Sequence, residues 1–131
     1  MFLKLYFISL FTFLSIDAVW LSIIAKNFYQ KQIGILMKSN INWISAFLVY
    51  ALFVLGLVVL IILPNLGKKS WWEIMLMGGL FGLVAYGVYD LTNLATLKNW
   101  TLTMTIVDMI WGMTVGSLVS VITFLIGSKI L

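Results

Sequence analysis

The 131-residue chain has no cysteine, no histidine and no arginine, and only one proline. Without cysteine there is no disulfide, no thiolate nucleophile and no iron–sulfur ligand set, and without histidine the usual zinc and general-base chemistry is absent too. Charge is also scarce: 9% of residues carry it, eight lysines against four acids, for a formal net charge of +4. The lysines are scattered over the polar segments with no dense basic run. That argues against nucleic acid as a partner and leaves attraction to the anionic head groups of membrane lipids as their plain meaning. Any catalysis would have to use carboxylates, hydroxyls or a bound ion, and the sequence leaves the cofactor open.

What fills the chain instead is apolar: 63% of residues are hydrophobic, more than a water-soluble domain of this size could hide in one core. Four continuous runs at 5–25, 41–63, 74–97 and 101–126 each reach the ~20 residues that cross a bilayer as a helix. They do not alternate as barrel strands would. The expected fold is therefore all-α, a single four-span membrane bundle over 1–131, with Pro64 marking the end of the second span. Asp17 interrupts the first run and no small-x-small cleavage site follows it, so that run reads as a retained helix rather than a secretory signal. In the 26–40 loop Tyr29, Ile33, Leu36 and Met37 recur at helical spacing, as in a short helix lying on the membrane surface. The connections at 64–73 and 98–100 are tight, which makes consecutive helices antiparallel. Lys4, Lys68, Lys69 and Lys129 then fall on one side and Lys26, Lys31, Lys38 and Lys98 on the other. This tie leaves orientation open and keeps a homodimer in view. Trp43, Trp71, Trp72 and Trp100 sit at span boundaries and fit an aromatic belt.

Three of the four acids, Asp17, Asp90 and Asp108, lie inside the apolar runs with no cation beside them. An acid in lipid costs at least ~2.5–3.5 kcal/mol on insertion scales, so intramembrane acids mark ion, proton or substrate sites by default. At ~1.5 Å rise per residue Asp17 lies roughly 12 Å below the 26–40 side, Tyr50 roughly 13 Å, and Asp90 and Asp108 roughly 10 Å. The expectation is one polar layer with its three carboxylates close together, some protonated or cation-bound. Tyr50, Tyr89, Asn93 and Thr105 would supply hydrogen bonds. Tyr86, Tyr89, Asp90 and Asn93 share one helical face, which is expected to look inward. Thr101, Thr105, Asp108, Gly112, Gly116 and Ser120 make a small and polar stripe for close helix packing, with Gly78 and Gly82 as a second small-xxx-small contact. The segments T-F-L-S-I-D-A-V-W at 12–20 and T-M-T-I-V-D-M-I-W at 103–111 echo one another. Trp20 and Trp111 each follow an aspartate by one turn and could wall off the site or donate to a carboxylate.

D-x-x-W-L at 17–21, F-Y at 28–29, Y-D-L-T-N at 89–93 and D-x-x-W-G at 108–112 together resemble the bacterial membrane proteins grouped as domain of unknown function 2177. The resemblance covers nearly the whole chain. It implies a small multi-pass protein of the bacterial inner membrane, with Asp17, Trp20, Tyr89, Asp90, Asn93, Asp108, Trp111 and Gly112 as signature residues and no established activity. Y-D without a G-x-G-D partner argues against an intramembrane aspartyl protease. Three readings stay open: proton-coupled binding or transport of a small molecule, cation or lipid; a lipid-modifying enzyme using aspartates as acid and base; and a structural subunit whose acids are hydrogen-bonded glue. The binding residues expected under the first are Asp17, Trp20, Tyr50, Tyr86, Tyr89, Asp90, Asn93, Thr105, Asp108 and Trp111, with no metal site of known motif.

Overall fold

A computed structural model describes residues 1–131. The apolar runs become four helices long and apolar enough to cross a membrane: α1 (Phe2–Ile24), α3 (Trp43–Asn65), α4 (Trp71–Thr96) and α5 (Leu102–Ile130). A short helix, α2 (Phe28–Ile33), continues as a 3-10 turn over Gly34–Leu36. The expected helical face of the 26–40 loop is thus cut short, because Met37 is already extended and both Leu36 and Met37 are exposed.

Local chemistry sets the helix ends. Asn42 accepts from the Ser45 N–H at 3.1 Å and starts α3. Glu73 Oε2 accepts from the Ser70 N–H at 2.9 Å, and this capping box starts α4 at Trp71, three residues before its hydrophobic run. Thr101 Oγ1 accepts from the Met104 N–H at 3.0 Å and opens α5. Past residue 126, Ser128 and Lys129 are too polar for a hydropathy reading, yet α5 continues to Ile130. Pro64 falls at the end of α3, as expected. Its ring and missing N–H disturb the turn before it, which widens to a π-helix over Val58–Ile62, and the helix ends one residue later at Asn65, whose side chain donates to Ile61 O at 2.6 Å.

α4 and α5 form the tightest pair, α1 packs on α5, and α3 packs on α1 and closes with its second half against α4 and α5. Glycines set the α4–α5 distance. A Cβ on Gly82 would run into the Gly112 carbonyl, and one on Gly116 into the Gly78 carbonyl. Polar links cross the apolar core: Tyr6 Oη donates to Ala51 O at 3.0 Å, Ser117 Oγ to Met75 O at 3.0 Å, and Ser9 Oγ to Thr123 Oγ1 at 3.0 Å. Ser9 and Thr123 are both fully buried between α1 and α5. Thr123→Val should therefore lower stability by about 1–3 kcal/mol, because it leaves the Ser9 hydroxyl dry and without its acceptor. Denaturation in micelles measures this, and Ser9→Ala/Thr123→Val should recover part of the loss.

Trp43, Trp71 and Trp72 are exposed, as belt residues must be, whereas Trp100 is only 8% exposed and departs from the expectation. Asn99 adopts a left-handed conformation (φ 66°) that turns the chain sharply between α4 and α5 and carries Trp100 inward. There its indole N–H donates to Thr105 Oγ1 at 3.0 Å, and its ring meets Tyr89 edge-on.

Candidate functional site

The polar layer forms near the end of the bundle that carries α2. Asp17 on α1 is buried, and both of its oxygens are used: Oδ2 accepts from the Tyr50 hydroxyl on α3, and Oδ1 accepts from Trp111 Nε1 on α5 at 3.2 Å. Asp108 on α5 is also buried, and its Oδ1 accepts from the Tyr29 hydroxyl of α2 at 2.8 Å. The Tyr29 oxygen in turn accepts from Trp20 Nε1 at 2.8 Å. Trp20 and Trp111 lie face to face, with ring centroids 4.3 Å apart and planes 6° from parallel.

The two D-x-x-W segments are therefore crossed. The indole of α5 serves the aspartate of α1, and the indole of α1 serves, through Tyr29, the aspartate of α5. Two hydrogen-bonded groups result, Tyr50–Asp17–Trp111 and Trp20–Tyr29–Asp108, joined only by the stacked indoles. The acids meet pairwise, Asp90 beside Asp108 and Asp17 within electrostatic reach of Asp108, and no group of three acids is placed to hold a metal ion. An indole N–H donates but cannot accept, so the stack interrupts any chain of proton hops between the groups.

Asp90 on α4 is the exception to this good order. It is 0% exposed, and neither carboxyl oxygen has a hydrogen-bond partner. Its acidic neighbour is Asp108 on α5. Two acceptors can bond to each other only if one of them carries a hydrogen. No cation relieves the pair, since the single ion pair of the chain is Lys69–Glu73, with 3.5 Å between Nζ and Oε1.

The remaining expected site residues divide. Tyr86 is half-buried, packs its ring over Gly112, and lies near enough to sense Asp17, Asp108, Tyr50 and Tyr29. Tyr89 and Asn93 do not complete an inward face: Tyr89 is 55% exposed, with Asn93 beside it. Thr105 gives nothing to the aspartates, because its hydroxyl donates to Thr101 O and accepts from Trp100. The functional residue that the spans alone missed is Tyr29. It heads the apolar spacing of the 26–40 loop and belongs to the F-Y motif, the two signals that could have singled it out. Burial and the Asp108 carboxylate push its hydroxyl well above the ordinary tyrosine range, so it stays protonated and keeps donating. Gln32 Oε1 accepts from Thr101 Oγ1 at 2.5 Å and helps to seat α2 over α5. A polar groove of about 440 Å³ lies alongside, lined by Gln30, Lys31, Gln32, Asn99 and Thr101 among others. Tyr29→Phe removes both bonds of the hydroxyl, and backbone amides of 28–36 should then exchange with solvent about tenfold faster, read by hydrogen–deuterium exchange.

Compared with known proteins, the chain matches at residues 2–125 the model of a family described as predicted membrane protein (DUF2177). No curated protein and no solved structure matches it.

Proposed function

From the premise that this multi-pass membrane protein belongs to the DUF2177 family of predicted membrane proteins, and from the geometry of its acids, we propose that it is a proton-coupled binder and carrier of a small organic cation. The observation that carries this reading is Asp90, fully buried with two unpartnered oxygens against Asp108. Two neighbouring carboxyls, away from water and from any lysine, are best satisfied by one shared proton. The titratable groups around them are Tyr89 and Tyr86 on α4, Tyr29 from α2 through its bond to Asp108, and Asp17 across the bundle from Asp108, none of which brings a positive charge. In the absence of a cation the pair would hold a proton. A bound cation replaces that proton, because the pair can carry two negative charges only when a positive charge lies beside it.

Tyr29 is the cover. It bonds Asp108 from the α2 side, and its withdrawal with α2 exposes the acid to the face bearing the polar groove. On the opposite side the bundle below Asp17 is filled by Phe13, Val115 and Val119, so exchange with that face requires the helices to move. The test is proton release from protein in lipid nanodiscs when benzamidinium is added, followed by pH-driven uptake of the same cation into proteoliposomes. Proton release of about one per cation bound is expected. Absence of any proton movement, with or without an added cation, would sink the reading.

A further inference from the structure

Trp20 and Trp111 stack with nearly parallel planes, and an indole N–H lies in the plane of its ring. The acceptors of these two N–H groups therefore sit at the edges of the stack. Asp17 is at the edge of Trp111, and Tyr29, which passes its own hydrogen to Asp108, is at the edge of Trp20. A slot opened between the rings would be one ring thick, faced by two indoles and bordered by carboxylates. Such a slot fits a flat cation with in-plane N–H donors. It does not fit a tetrahedral ammonium on a bulky frame, which cannot touch both faces at once.

We propose that the ligand is a planar organic cation of the guanidinium or amidinium type, which inserts between Trp20 and Trp111 and donates in its plane to Asp17 and Asp108. This deepens the carrier reading above and rests on it. The acids alone would accept any cation, and the parallel indoles are what select for planarity. Asp90, dry and unpartnered beside Asp108, is the independent sign that the charge count of this site is incomplete without a proton or a cation. Insertion moves two elements of the fold. The rings must part to roughly 7 Å, and the two elements that can yield are the π-helical last turn of α1, which carries Trp20, and the short helix α2, held over the site by Tyr29 and Gln32. The ligand then takes over the acceptor that Tyr29 now occupies on Asp108, so binding and the lifting of α2 are one event.

The experiment compares benzamidinium with cyclohexylammonium, cations of equal charge and similar size, by calorimetric titration of the full chain in nanodiscs. Benzamidinium should bind about tenfold tighter. Trp20→Leu should abolish that preference and Trp20→Phe, which keeps a flat face, should retain it. Asp17→Asn should weaken benzamidinium about tenfold or more. Equal binding of the two cations would overturn the planar-ligand proposal while leaving the carrier reading intact. Binding of neither, with proton exchange at the Asp90–Asp108 pair still present, would overturn it as well and leave a proton-only site. Hydrogen–deuterium exchange of 28–36 provides a readout independent of affinity: benzamidinium should raise it in wild type and leave it unchanged in Trp20→Leu.

Discussion

The Asp90→Asn protein should insert and fold like the wild type and bind its cation without releasing a proton. Asparagine matches aspartate in volume, and its amide donates to Asp108 in place of the shared hydrogen, so the α4–α5 contact keeps its bond. What disappears is the exchangeable proton. Proton release per cation should fall from about one to near zero, and pH-driven uptake into proteoliposomes should fall to the level of empty vesicles. The thermal midpoint should stay within a few degrees. An Asp90→Asn carrier that still concentrates cations down a proton gradient would remove Asp90 from the mechanism. Asp90→Leu is the contrasting change: it leaves Asp108 buried with only the Tyr29 hydroxyl as donor, and it should destabilise the bundle as well as silence it.

The second large effect is mechanical. Gly82→Val should break the α4–α5 contact, at a cost of about 3 kcal/mol or more, because the new side chain meets the Gly112 carbonyl and the Gly116 backbone rather than a movable side chain. Gly87→Ala, one and a half turns further along the same helix, is the control. Its Cβ would meet only the tip of Met109, a flexible side chain, and the loss should stay below about 1 kcal/mol. Denaturation in micelles separates the two. The Gly82 variant should also lose proton coupling, since the close approach of the two helices is what presses Asp90 against Asp108. Equal stability of both variants would show that the backbone contact does not hold the pair.

The comparison between chain and fold turns on particular residues. Four spans, their order and the inward position of Asp17, Asp90 and Asp108 follow from hydropathy and helical phase, because a helix of apolar residues leaves an acid nowhere else to go. Phase gives the face of a helix but not the partner across from it. For that reason the D-x-x-W echo was visible while the crossing of its indoles was not, and the Trp20–Trp111 stack that divides the acids into two groups could not be foreseen from depth alone. Thr105 lay on the right stripe but is taken by Trp100, whose inward turn depends on the left-handed Asn99, a backbone choice that hydropathy does not register. The sequence does not assign Tyr29 to the site, because it lies between the spans, on α2, and the bond it makes spans 79 positions of the chain.

The tryptophans divide into two optical populations. Trp43, Trp71 and Trp72 stand on the outer surface, whereas Trp100 is buried at the α4–α5 turn and Trp20 and Trp111 are half-sheltered in the stack. Lipids with brominated chains should darken the outer three and leave the inner three emitting, two of which stack with centroids 4.3 Å apart. The molecule thus carries its own spectroscopic probe of the space between its helices, and a change in that residual emission would report the parting of the two rings without any label.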